Sequence, residues 1–128
     1  ARTLAQLNIS DNNEKKWIFL DEPISNLDIK NQLEVMNIIK KFSNSGGGVI
    51  VVMHDLNLSS IFSDEILLLK EGVKLGIGSP ENIIVDHLLS EAYECKIKVK
   101  KTLNNSLSYI IPHFVELKKY DKFEQKNL

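Results

Sequence analysis

At 128 residues the chain has the length of one ordinary domain, enough to bury a hydrophobic core. Its 16 basic and 17 acidic residues leave a net charge of −1, which gives no polyelectrolyte footprint and so no general case for nucleic-acid binding. The one cysteine, Cys95, excludes an internal disulfide and reads as a small structural residue, and the longest apolar runs, residues 49–53 and 66–69, fall far short of the ~20 needed to span a bilayer.

The first residue is Ala1 rather than methionine, and residues 1–7 read as a helix already under way, with Leu4 and Leu7 as its apolar edge and no N-capping side chain. This predicts that the chain is the C-terminal part of a longer protein. Residues 8–16 form a polar, turn-forming link. Trp17, Ile18, Phe19 and Leu20 then run without alternation into Asp21, Glu22 and Pro23, the pattern of a parallel strand buried on both faces that ends at a ligand site. In open α/β sheets ligands gather outside the carboxyl ends of the strands, so Asp21 and Glu22 stand where a metal and a reacting water can be handled. Taken by itself, such a run is more often only a buried strand leaving the sheet through a polar turn.

After the loop of residues 24–27, Asp28 is a good N-cap, and Ile29, Leu33, Met36, Ile39 and Phe42 predict one apolar face of a helix over residues 29–42. Residues 43–48 end it. Residues 49–53 are again continuously apolar and β-branched, a second buried strand, so that strand, helix and strand form a βαβ unit with the two strands parallel. That second strand also ends in polar residues, His54 and Asp55, which brings both strands' chemistry to one edge of the sheet.

Residues 56–63 predict a short helix and residues 65–69 a third strand, which Lys70, Glu71 and Gly72 turn into residues 73–77 as an antiparallel hairpin. Ser79 as cap and Pro80 at the first position start another helix, whose buried face is assigned to Ile84, Leu88 and Tyr93. Beyond Glu94 the pattern weakens. Residues 96–100 alternate like an exposed strand, Asn104 and Asn105 can turn it into residues 107–111, and the charged tail from Lys118 is expected to fray. The expected division is therefore residues 1–94 as the main domain and 95–128 as a C-terminal extension.

Ser25, Asn26, Leu27 and Asp28 after the carboxylate pair, and a single histidine after the neighbouring strand, together resemble the nucleotide-binding subunit of ABC transporters. Residues 20–23 are similar to its Walker B motif, residues 25–28 to its D-loop and His54 to its switch histidine, over roughly residues 1–94. The resemblance implies an α/β fold of the P-loop NTPase class, mainly parallel with a C-terminal antiparallel hairpin. It also implies ATP and Mg²⁺ as cofactors. Asp21 is then the Mg²⁺ ligand, usually through water, Glu22 the general base that polarises the attacking water, and His54 a contact to the γ-phosphate and that water. Ser25 and Asp28 lie at the interface of two head-to-tail subunits, where this family hydrolyses ATP. The implied partners are a second ATPase subunit, transmembrane permease subunits and, indirectly, a substrate-binding protein, at the cytoplasmic face of the membrane and without nucleic acid.

Blander readings stand beside these. Asp28 serves equally as a helix cap, a lone histidine after a strand is more often a hydrogen-bonded structural residue, and His87 and His113 read as helix surface and loop. Residues 45–48, Ser-Gly-Gly-Gly, look superficially like a phosphate loop or the family's signature, but both of those open a helix and this run opens a strand. No Gly-Lys-Ser/Thr occurs in the sequence, the family's glutamine loop and signature are absent, and Ile24 stands where the family usually has threonine. Residues 54–58, His-Asp-Leu-Asn-Leu, are similar to importer subunits for haemin, ferric siderophores and cobalamin, and the polar insertion before the Walker B strand looks most like the haemin-import subunits. Two other readings remain open, an ABC-type ATPase head of a DNA-repair protein, which long heptads would favour, and a non-catalytic remnant without a phosphate cradle.

Overall fold

The computed structural model describes residues 16–104 and 107–111. The predicted helix over residues 1–7, most of the link after it, Asn105, His113 and the charged tail lie outside the described residues. The chain divides into two units, Ala1–Val52 and Met53–Leu128.

The first unit is the expected βαβ arrangement. Strand β1 spans Trp17–Asp21, helix α1 Ile29–Asn44 and strand β2 Gly48–Val52, and the two strands pair in parallel from Trp17 opposite Gly48 to Asp21 opposite Val52. Asp28 caps α1, its Oδ1 accepting the Asn31 N–H at 2.8 Å. Gly48 lies under the Trp17 indole of the facing strand, so a Cβ there would require that ring to move.

Two expectations about burial are corrected here. The strands are not covered on both faces: Trp17 is 63 % and Phe19 73 % exposed, and Ile50 and Val52 beside them are exposed as well. Alternation explains it, since Leu20 turns to the side where Met36 and Ile39 of α1 are buried, while the odd positions of β1 and their partners in β2 face the other way. On α1 the buried stripe is shorter than predicted, because Ile29 and Leu33 in its first turns are exposed.

The second unit begins with helix α2, Leu56–Phe62, capped by Asp55, whose Oδ1 accepts the Leu58 N–H at 2.8 Å. Strands β3, Ile66–Lys70, and β4, Val73–Gly78, form the predicted antiparallel hairpin. Its two-residue turn places both Glu71 (φ 49°) and Gly72 (φ 77°) in the left-handed region, the form that matches strand twist.

The helix predicted from Pro80 is in fact two: α3, Pro80–Ile83, and α4, Asp86–Tyr93. Between them Val85 is extended (φ −133°, ψ 153°) and its N–H reaches back to the Ile83 carbonyl at 2.9 Å. The break lets Ile83, Ile84 and Leu89 all enter the core, which one continuous helix with Ile84, Leu88 and Tyr93 on its inner face does not do. Leu89, unmarked in the sequence reading, is the fully buried anchor, and Tyr93 is half-exposed.

Leu68, Ile83, Ile84, Leu89 and Ile97 form one core cluster, against which Leu56, Leu75, Leu88, Cys95, Val99 and Ile110 pack. The last pair of strands, β5 (Val99–Lys101) and β6 (Ser108–Ile110), is antiparallel as predicted. Among the described residues no helix is long and apolar enough to cross a membrane.

Candidate functional site

The site is built on the exit from β1. Asp21 is the last residue of the strand, exposed, opposite Val52. The parallel ladder runs one step further, because the Glu22 N–H donates to the Val52 carbonyl at 3.0 Å. The chain then breaks sharply. Glu22 has φ 46°, a left-handed conformation that costs a residue with a Cβ about 1–3 kcal/mol and persists only where its surroundings hold it.

Those surroundings are explicit. The Glu22 carbonyl accepts both the N–H and the Oγ–H of Ser25, each at 3.2 Å, and its N–H is tied to β2 as described. Asn26 is also left-handed (φ 63°), which asparagine tolerates better than most residues. Ile24 between them is buried, its carbonyl accepting the Leu27 N–H at 3.3 Å and the Gln32 side chain at 3.5 Å. The apolar side chain at the position where threonine was expected is thus the plug that anchors the loop. Asp28 closes the turn as the cap of α1, with its second oxygen accepting the Asn31 side chain at 3.1 Å.

Asp21, Glu22, Ser25 and Asp28 are therefore brought together on one hydrogen-bonded turn of the first unit, all exposed. His54 is not part of that turn. It is exposed at the start of the second unit, directly before Asp55, the cap of α2. His87 is exposed on α4.

Sequence reading missed the Ser25 clamp, the left-handed Glu22 and the Gln32 contact. Only Asn26, a residue suited to turns, carried a local signal for any of them.

Among the described residues no three His, Cys, Asp or Glu side chains stand together as a metal-ligating group. Mg²⁺ does not require one, since it keeps water and is commonly held by one or two carboxylates together with substrate phosphates. Exposed Asp21, with Glu22 next to it, fits that donor set. Nothing in the glycine run fits a phosphate cradle: it follows the C-terminus of α1, Gly46 turns with φ 100°, and Gly48 opens β2.

No family model matches the chain. In structure it is similar to a metal-chelate-type ABC transporter in an inward-facing conformation, with TM-score 0.67 and 24 % identity over 80 % of this chain and 41 % of that one. It is also similar to CbiO1 of Clostridium perfringens, part of the transporter complex CbiONQ, with TM-score 0.51 and 25 % identity over 59 % of this chain and 31 % of the other. The chain corresponds to part of an ATP-binding subunit of an ABC transporter.

Within that class its curated relatives include hemin import proteins. It is 45 % identical over 114 residues to the hemin import ATP-binding protein HmuV of Jannaschia sp. (strain CCS1), which covers 88 % of this chain and 42 % of that protein. To HmuV of Roseobacter denitrificans it is 46 % identical over 98 residues, 77 % of this chain and 38 % of the relative. The chain thus spans less than half the length of the curated relatives it matches.

Proposed function

We propose that the protein, at its native length, is the ATP-hydrolysing subunit of an importer that takes up haemin through a membrane permease. The observation that carries this reading is the clamped turn from Asp21 to Asp28, which holds two adjacent carboxylates at the end of a parallel strand, in a chain similar to hemin import ATP-binding proteins.

Mg-ATP, when bound, supplies the γ-phosphoryl group whose transfer to water is the reaction. Asp21 holds the cation, through water or directly. Glu22 takes the proton of the attacking water at its carboxylate, and the turn fixes the backbone from which that carboxylate projects, so little backbone freedom is left to lose in the transition state. His54 donates a hydrogen bond to charge developing on the γ-phosphate. Ser25 and Asp28 face a second, head-to-tail subunit. Residues 1–94 act as the ATPase portion and 95–128 as an extension of it, and the whole works against permease subunits at the cytoplasmic face of the membrane, with a substrate-binding protein further upstream in transport.

The test is made on the protein at its native length. Glu22→Gln should lower ATP turnover by about 10²–10⁴-fold with nucleotide binding largely intact, as loss of a general base does. Equal loss of both would remove Glu22 from that role. Residues 1–128 by themselves, which contain no Gly-Lys-Ser/Thr phosphate loop, are expected to show no Mg²⁺-dependent turnover. ATP-driven uptake of haemin into vesicles, competed neither by a ferric siderophore nor by cobalamin, is the result that assigns the cargo.

A further inference from the structure

Helix α2 is held at its start by the residue that follows His54. Asp55 caps it with Oδ1, and the Asp55 carbonyl accepts the Ser59 N–H at 3.0 Å and the Ser59 Oγ–H at 2.7 Å. The chain that leads on from His54 is therefore fastened at Asp55 to the first turn of α2.

A second attachment grips α2 from the far end of the sequence. The Asn57 side chain pairs with the backbone of Ile110 in β6 at both of its groups: Nδ2 donates to the Ile110 carbonyl at 3.1 Å and Oδ1 accepts the Ile110 N–H at 2.8 Å. A carboxamide carries one donor and one acceptor side by side, the pattern of a peptide group, so it substitutes for a neighbouring strand on the edge of β6. The pairing bridges 53 positions of sequence.

The strand pair that Asn57 grips is itself fastened to α4. Asp86 accepts the Val99 N–H and the Lys98 ammonium, both at 2.8 Å, and the Ser90 hydroxyl accepts the Ile97 N–H at 2.9 Å. Ile97, Val99 and Ile110 join the core cluster. The β5–β6 pair is thus fastened to α4 by bonds that do not involve Asn57, and α2, whose Leu56 packs on the same core, is tied to that pair through Asn57.

We propose that the β5–β6 hairpin is a brace on α2 and that Asn57, which joins the two, is a positioning residue for His54. Asn57 is not a catalytic residue here. It acts through α2 and Asp55, and its role in turnover rests on the ATPase reading given above.

The experiment compares the native-length protein with Asn57→Ala and Asn57→Asp by amide hydrogen exchange and by ATPase kinetics. In Asn57→Ala the Ile110 and Ser59 amides should exchange about tenfold faster, the scale of losing a two-point hydrogen bond, while amides of α4 and β3 keep their protection. At the same time kcat should fall about tenfold with KM for ATP unchanged, because a displaced transition-state contact costs rate and not ground-state binding. Asn57→Asp, which keeps the acceptor but sets a carboxylate oxygen against the Ile110 carbonyl, should lose at least as much as Asn57→Ala.

Faster exchange at Ile110 with unchanged kcat would reduce Asn57 to a fastening and overturn the positioning role. Unchanged exchange at Ile110 would overturn the brace, and a fall in kcat accompanied by loss of protection in α4 and β3 would show general unfolding in place of positioning. If the unsubstituted protein has no Mg-ATP turnover, the functional reading fails and the positioning role with it, while the exchange result still decides the brace.

Discussion

The two units solve the problem of stability in opposite ways. The second has a contiguous core of Leu68, Ile83, Ile84, Leu89 and Ile97, with further apolar residues packed round it. The first buries Leu20, Ile24, Met36 and Ile39 but leaves Trp17, Phe19, Ile50 and Val52 exposed on one sheet face. Yet the paired carboxylates sit on the first. The turn that carries them is held in shape by backbone and side-chain hydrogen bonds around Glu22, Ser25 and Asp28, so its geometry does not require a large core beneath it.

The largest effect that tests this contrast is expected from Leu89→Ala. Removing a fully buried leucine side chain should cost about 2–5 kcal/mol, read as lost amide protection in β3, β4 and α4. Equal loss in β1, α1 and β2 would break the comparison, because the two units would then unfold as one.

A smaller effect is expected from Asp86→Ala, about 1 kcal/mol after allowance for an exposed ion pair. It should depend on pH. The Lys98 ammonium, and after it the Val99 N–H, hold the Asp86 carboxyl below its ordinary value. A carboxyl lowered in the folded state stabilises the fold above its unfolded pKa, and that contribution is lost as pH falls through the folded one. Urea midpoints of the two proteins should therefore differ at neutral pH and converge in acid. A difference that persists unchanged into acid would mean that Asp86 acts by packing rather than by charge.

The smallest effect should come from Phe19→Ser, within roughly 0.5 kcal/mol for residues 1–128, since the ring is mostly in solvent. A cost of about 2 kcal/mol or more would mean that this face is covered in solution.

Much of this was legible along the chain. Continuous β-branched and aromatic runs gave β1 and β2, the Asp28 position gave the start of α1, and Glu71-Gly72 gave the hairpin turn. Asp21, Glu22, Ser25 and Asp28 could be picked out as a group because their order and spacing form a recognisable motif. The break between α3 and α4 could not, because Ile84 and Val85 fit an apolar helical stripe as well as they fit an extended step; what decides between them is how many side chains the step delivers to the core.

The sequence by itself determined the local elements and the parallel βαβ unit, because periodicity, capping and turn chemistry act over a few residues. Tertiary structure alone decided that Trp17 and Phe19 face outward, that Glu22 adopts a left-handed backbone clamped by Ser25, and that Asn57 meets Ile110. Burial and pairing across 53 positions depend on which surfaces the folded chain brings together, and no local pattern encodes that.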